Sequence, residues 1–373
     1  MAAPGKGLEG VVAAETALSD IDGKKGLLYY VGYDIHELAV NSTFEEICYL
    51  LHHRELPTSR QLDDIKAQIA KEREPNEFVM GLMPELAANT TPMSMLRTAV
   101  SASSAKDPDG WDTSDEANYR KAIRLIAVFP TLVAYYHRLR TGQDLVPPDP
   151  SLSQAANFLW MLKGDRPDEA SARIFDICLV LHADHTMNAS TFAARVCAAT
   201  LSDIHSAMTA AIAALKGPLH GGANEAVMRM LKEIGSPDRA RDYIRDKLAR
   251  KEKIMGFGHR VYKTEDPRAT HLRRMAEELA DKTGDRNNYE ISRVIEETVM
   301  EEKGLYPNVD FYAASVYGYL RIPTDLFTPI FACSRVSGWT AHVREQYADN
   351  RLIRPDHAYI GPDPRPYVPL AQR

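Results

Sequence analysis

Leu215 to Leu231 reads "LKGPLHGGANEAVMRML", and its pattern sets the fold class. Gly217-Pro218 turns the chain. After the glycines, Val227, Met230, Leu231 and Ile234 return at three- and four-residue intervals, the spacing of one helix face. A half-buried strand would alternate with period two instead. The helical period recurs outward from this stretch: upstream over 205–215, 191–201, 169–182, 153–162, 114–138 and 95–101, and downstream over 236–253 and 268–282. Pro130 falls inside 114–138, where a kink is expected. Thr43 with Glu46 makes a capping box ahead of Ile47, Leu50 and Leu51, and Ser59 reads as the cap of a helix carrying Leu62, Ile65 and Ile69. Only the first forty residues read partly as β, with β-prone runs at Val11-Val12 and 27–31 and a hairpin-type turn at Asp22-Gly23. No βαβ alternation occurs, so the expected fold is mainly α with a small N-terminal β element.

A chain of 373 residues is long enough for two domains. Turn points at Gly217-Pro218 and near Pro323 would set off residues 219–322 as the smaller unit, leaving 1–218 and 323–373 as the larger. The composition, 45% hydrophobic and 26% charged, is that of an ordinary globular protein, and a net charge of -6 argues against a nucleic-acid or membrane-surface protein. Cys48, Cys178, Cys197 and Cys333 are widely spaced with no CxxC pair, which fits free thiols in a reducing compartment. The N-terminal "MAAPGKGLEGVV" lacks a signal-peptide core and an arginine-rich transit pattern. The longest apolar run, 125–136, is interrupted by Pro130 and too short to cross a bilayer. A cytoplasmic location is expected.

Three patterns carry chemistry. His220 stands just before the helix read from the first stretch, where a positive helix end would keep its imidazole neutral and able to donate to a developing oxyanion; a histidine in a tight loop is the structural alternative. "IMGFGHRVYKTEDPRA", Ile254 to Ala269, sets His259 behind Gly256-Phe257-Gly258 with Lys253, Arg260, Lys263 and Arg268 around it. It lacks the third glycine and preceding strand of a dinucleotide loop but suits an anion, since arginine offers a carboxylate a matching fork; a solvated charge cluster is the alternative. In "YPNVDFYAAS", Tyr306 to Ser315, Asp310 sits among apolar neighbours that would raise its pKa and make it a base, unless it merely caps the following helix. His182 and His185 in "LHADHTMNAST" are spaced i, i+3, open to substrate contact, core packing or one edge of a metal site, with no further ligand set evident. Two histidines, a carboxylate and several arginines together suggest proton abstraction beside a carbonyl on a multiply anionic substrate.

These residues resemble the citrate synthase family. The likeness rests on "GLEGVVAAET" at Gly7, "MSMLRTAVS" at Met93, "HADHTMNAST" at His182, "LKGPLHGGANEA" at Leu215, "IMGFGHRVYKTEDPRA" and "NVDFY", in that family's order and over essentially the whole chain to the final "YVPL". The resemblance implies an all-α homodimer with a large domain and a smaller mobile one, condensing acetyl-CoA with oxaloacetate and needing no metal or other cofactor. By the matching motifs, His220 would stabilise the enolate, Asp310 would take the methyl proton, and His259 would polarise the oxaloacetate carbonyl. Arg268, Arg335 and His185 would hold the oxaloacetate carboxylates, with Arg354 reaching in from a second subunit. The backbone of Lys253, Ile254, Met255, Gly256 and Phe257 would meet the adenine of CoA, and Lys263 a phosphate. Two positions depart from the pattern: Thr91 stands where a histidine is common, and Ala313-Ala314 where serine-glycine is expected. The matched segment begins at residue 7, leaving no room for a mitochondrial presequence or an extra N-terminal domain, so the shorter dimeric type is expected. 2-Methylcitrate synthase, which uses propionyl-CoA with the same residues, is the near alternative. Citryl-CoA lyase and a non-catalytic relative are the others, the latter opposed by the presence of His220, His259 and Asp310.

Overall fold

A helix with no solvent-facing stripe organises the molecule: from Phe327 to Val343 every residue of the helix Phe327–Ala348 is buried. A helix apolar all round belongs inside a bundle, which is also why it shows no amphipathic period to a sequence reading. The computed structural model to which this belongs describes residues 6–8 and 10–373, so part of the N-terminal "MAAPGKGLEGVV" falls outside the described residues. Around the central helix pack Phe44–His53, Pro92–Ser103, Asp115–Arg140, Glu169–His182, Ala189–Ala198 and Ile204–Leu215. A second group, Ala223–Ile234, Pro237–Ala249, Pro267–Thr283, Asn287–Lys303 and Val309–Tyr319, packs chiefly on itself. Sixteen α-helices and one three-stranded antiparallel sheet occur among the described residues. The sheet pairs Ser19–Asp22 with Leu27–Tyr30 and the latter with Tyr33–Asp34, in register Ser19 to Tyr30 and Tyr30 to Tyr33.

The mainly α reading and the N-terminal hairpin hold, with local corrections. Val11 and Val12 are solvent-exposed and in no strand; the partner of Leu27–Tyr30 is Ser19–Asp22, which puts the turn at residues 23–26. The capping box at Thr43 and Glu46 is formed, but the next helix is capped by Thr58 with Gln61, one residue before Ser59. Asp115–Arg140 runs through Pro130 as one helix. Pro237–Ala249 stops short of residue 253 because Lys251 turns left-handed, with φ of 58°. Four helices lacked a sequence expectation, Ile35–Asn41, Glu77–Asn89, Asn287–Lys303 and Phe327–Ala348, and Val309–Tyr319 was expected only as a helix following Asp310. All four cysteines are free thiols, and among the described residues no helix is long and apolar enough to cross a membrane.

Candidate active site

The loop of residues 254–266 is stitched to the start of the helix Val309–Tyr319. Phe257 bridges Pro307, the Asn308 N–H donates to the Gly256 carbonyl at 2.8 Å, and Gly258 N–H donates to the Tyr306 carbonyl at 3.0 Å. Gly256 is required here: its φ is +83°, and a Cβ would lie 2.9 Å from both Phe311 and Val227. Beside this seam a cavity of about 580 Å³ is lined by Lys253, Ile254, Met255, Gly256 and Phe257 together with Asn308 and Val299. Lys263 does not line it; its ammonium is solvent-facing and reaches the Arg260 carbonyl at 3.3 Å.

Two histidines are locked by backbone donors in complementary ways. His259 Nδ1 accepts from the N–H groups of Val261 at 3.0 Å and Tyr262 at 3.2 Å, so in the neutral ring the proton sits on Nε2. Burial and the Arg268 charge push its pKa down to about 4. His220 Nε2 lies 3.3 Å from the Ser190 N–H and 2.8 Å from the Ser190 hydroxyl; with Nε2 accepting the N–H, the ring proton sits on Nδ1. Its pKa is also pushed down to about 4, by burial first and the Arg335 cation second. Burial and a neighbouring arginine thus act toward the neutral ring expected from the helix end. His185 lies T-shaped to His259 with ring centroids 5.3 Å apart, and its Nε2 is 3.2 Å from the Tyr262 hydroxyl. Burial, then Arg268 and His259, hold it well below its ordinary pKa. His182 turns away from that cluster at Nδ1, which bonds the Cys178 carbonyl at 2.7 Å, and its buried Nε2 has no hydrogen-bond partner among the described residues.

Asp310 does not cap its helix. Asn308 does, accepting from the Asp310 N–H at 3.0 Å, so the Asp310 carboxyl is left free of that task. Burial raises its pKa from 3.8 to about 7 against the pull of Arg268 and Arg335. Arg268 and Arg335 are both buried but differently partnered. Arg268 is gripped by Asp266, Nε to Oδ1 at 2.9 Å and Nη2 to Oδ2 at 2.8 Å; burial opposes its charge, and the Asp266 carboxylate more than offsets this, raising its pKa. Asp266 Oδ2 also accepts the Val309 N–H at 3.2 Å, tying Arg268 to the helix that carries Asp310. Arg335 has no carboxylate in ion-pair range among the described residues. It donates from Nε to the His182 carbonyl at 2.7 Å and lies 4.6 Å from the centroid of Phe331, and burial lowers its pKa to about 10. Phe331 is shared, since both His220 and His182 meet its ring edge-on.

His185, Arg268 and Arg335 are buried and His220, His259 and Asp310 half-buried; His185 meets His259, His220 meets the Phe331 ring that Arg335 also faces, and the charges of Arg268 and Arg335 act on Asp310. Arg354 is not among them: it is 70% exposed, pairs with Asp356 at 3.4 Å, and lines a separate cavity of about 710 Å³. The departure positions are quiet: Thr91 bonds Ser94 at 3.0 Å, and Ala313 and Ala314 are fully buried in the core. Among the described residues no group of three or more His, Cys, Asp or Glu is arranged to hold a metal ion. The reading from residues overlooked Asp266, Tyr262 and Ser190. Asp266 had a signal in its Asp-Pro helix start; Ser190 had none, because its role depends on a loop thirty residues away. Chemically, the cluster offers one base of elevated pKa, two neutral imidazole donors and a buried cation awaiting an anion.

Comparison with known proteins agrees. The family model described as "Citrate synthase, C-terminal domain" matches residues 7–356. "Citrate synthase 2" of Bacillus subtilis (strain 168) is 54% identical over 369 residues, covering 99% of both chains. A "2-methylcitrate synthase" of Shewanella oneidensis is 43% identical, covering 99% of this chain and 98% of its own. A solved structure of citrate synthase from Thermoplasma acidophilum, a ternary complex with carboxymethyl coenzyme A and oxaloacetate, superposes with a TM-score of 0.93 at 37% identity and 99% coverage of each chain.

Proposed function

This chain belongs to the citrate synthase family and is a transferase of the citrate (Si)-synthase type; on that premise we propose how its residues condense acetyl-CoA with oxaloacetate and hydrolyse the citryl-CoA so formed. Asp310 takes a proton from the thioester methyl group. The Nδ1–H of His220 donates to the thioester oxygen as it becomes an enolate oxygen. The enolate carbon attacks the oxaloacetate ketone, whose oxygen is polarised by His259 Nε2–H and receives a proton there. Water then cleaves citryl-CoA to citrate and CoA. What supports this assignment is the pair of histidine locks: His259 Nδ1 accepts two backbone N–H groups, which leaves Nε2–H as its donor, and His220, with Nε2 accepting the Ser190 N–H, has Nδ1–H to offer.

The remaining roles follow from charge. Oxaloacetate carries two carboxylates, and Arg268, Arg335 and His185 are the groups placed to hold them, which supplies orientation for the attack. The cavity along Lys253 to Phe257 is assigned to the CoA adenine, with Lys263 at a phosphate. Residues 219–322 act as the mobile domain against 1–218 with 323–373, a division supported by the self-packing of the second helix group. A homodimer is proposed because Arg354, exposed within one chain, would then complete a second subunit's site. The steps need no metal, since histidine donors polarise both carbonyls. Four free thiols support a cytoplasmic enzyme at the entry to the citric acid cycle.

The relative named 2-methylcitrate synthase keeps a second acyl substrate in view, because one added methylene in an apolar pocket is worth only about 1–3 kcal/mol. Thiol release from acetyl-CoA and from propionyl-CoA, each with oxaloacetate, decides between them by kcat/KM. Preference for acetyl-CoA is expected. Comparable or better use of propionyl-CoA would move the enzyme to methylcitrate formation, and no release from either would overturn both readings.

A further inference from the structure

The N-terminal hairpin touches both halves of the proposed oxaloacetate site. At its base, Ser19 bonds the buried Asp184 carboxylate and accepts the Thr186 N–H at 3.0 Å, gripping the residues on either side of His185. Across the sheet, the Tyr30 hydroxyl donates to the Asp184 carbonyl at 2.9 Å. At its tip, the Gly23 carbonyl accepts the Lys263 N–H at 2.8 Å. Here the fit leaves no room: a Cβ on Gly23 would lie 2.3 Å from the Val261 carbonyl oxygen, and one on Gly26 would lie 2.8 Å from the Glu265 carbonyl oxygen. Val261 and Tyr262 are the residues whose N–H groups fix His259 Nδ1. The tip is itself held, since the Asp22 carboxylate accepts the N–H groups of Lys24 and Lys25 at 3.1 and 3.0 Å.

We propose that the turn of residues 23–26 is the seat on which the His259 loop is set against His185, making Gly23 a positioning residue for oxaloacetate. The claim rests on the assignment of His185 and His259 to that substrate. Gly23 is not among the residues with positive φ, so alanine suits its own backbone and disturbs only what docks on it. Gly26, with φ of +70°, would be strained by alanine wherever the loop sat, and is the poorer probe. Opening the Val261 contact from 2.3 Å to ordinary Cβ contact moves the loop by roughly 1 Å or more, a misplacement of the size that costs on the order of 10²-fold in rate.

Gly23→Ala tests this, with Lys24→Ala in the same turn as control, because the Lys24 side chain is exposed and only its backbone serves the turn. The expected result is a rise in KM for oxaloacetate of about tenfold or more, with KM for acetyl-CoA within about threefold, because the CoA-side loop is held separately by Asn308 and Tyr306. A displaced His259 lowers kcat as well, whereas loss of folded enzyme lowers the apparent kcat with both KM values in place, so the KM for oxaloacetate is the deciding readout. Wild-type KM for oxaloacetate in Gly23→Ala overturns the seat. Should that variant fail to fold, hydrogen exchange of the wild-type protein decides: with oxaloacetate bound, the Lys263 amide is expected to be protected, and exchange there at the rate of an open loop overturns the proposal. That measurement also separates the two readings, since it stands whether or not the wild-type protein releases thiol from acetyl-CoA.

Discussion

Replacing Asp310 by asparagine should abolish condensation and stabilise the protein, and the stabilisation should depend on pH. The Asp310 carboxyl is raised from 3.8 to about 7, chiefly by burial. Between about pH 4 and 7 the native protein keeps a proton there that the unfolded chain has released. Stability of the parent enzyme therefore falls as pH rises through that window and levels off above it. The carboxamide does not titrate, so the advantage of Asp310→Asn grows from about pH 4 to 7 and is flat beyond. The full displacement corresponds to roughly 4 kcal/mol between the two protonation states, and halving it because Asp310 is only half-buried leaves ~2 kcal/mol.

For a chain of 373 residues that is a rise in Tm of about 2–3 °C at pH 8, and roughly half of it at pH 5.5. Calorimetry of substrate-free protein at the two pH values reads it directly. Thiol release should fall by about 10²–10⁴-fold, the contribution of a positioned base. A Tm change that is equal at both pH values, or a loss of stability at pH 8, would refute the origin assigned to the raised pKa. Activity within tenfold of the parent would refute the base.

Arg335→Met should leave the substrate-free Tm near that of the parent, since it removes a buried cation that makes no salt bridge and that distant carboxylates offset only in part, while KM for oxaloacetate rises at least ~30-fold, the low end for truncating a buried charge pair. An unchanged KM would take Arg335 out of the site. Gly256→Ala should lose affinity for acetyl-CoA and lower Tm together, because its Cβ strikes Phe311 and Val227 at 2.9 Å; intact binding in equilibrium titration would show that the loop relaxes freely. Arg354→Ala and Arg268→Ala should each be nearly inactive alone and regain part of the activity when mixed, because a heterodimer reconstitutes one site. No rescue despite subunit exchange shown by native mass spectrometry would count against a shared site.

Legibility in the sequence followed burial geometry. Helices with one apolar face, such as Ala223–Ile234 and Pro267–Thr283, were readable from period alone. Phe327–Ala348 and Val309–Tyr319 were not, because a helix enclosed on all sides has no polar face to mark its period. Glu77–Asn89 was hidden by Pro84, whereas Asn287–Lys303 carries Ile291, Ile295 and Val299 at i+4 intervals, a helical period that was present in the sequence but missed. At the site, His220, His259 and Asp310 stood out by type and surroundings. Arg335 did not, since a lone arginine is usually solvated and only the fold puts it 1% exposed beside Phe331. The hairpin was visible as a turn, but what it touches lies some 240 residues away in the chain, and no local pattern records that.

On the proposed assignment, the two buried arginines cannot do the same work. Arg268 already has a bidentate carboxylate in Asp266, so a substrate carboxylate reaching it adds a second anion to a neutralised pair. Its gain is geometric: Asp266 fixes the guanidinium and, through the Val309 N–H, holds it to the helix bearing Asp310. Arg335 makes no salt bridge, and the more distant Asp184 and Asp310 carboxylates offset its burial only in part, so the first carboxylate to reach it relieves an under-compensated charge. Affinity for oxaloacetate should therefore be concentrated at Arg335 and orientation at Arg268. The same arrival also partly screens the Arg335 charge that depresses His220 and favours the carboxylate form of Asp310, so substrate binding should shift both groups upward in pKa. For Asp310 that makes a stronger base once the electrophile is in place. For His220, starting near 4, the ring stays neutral and remains a donor at physiological pH.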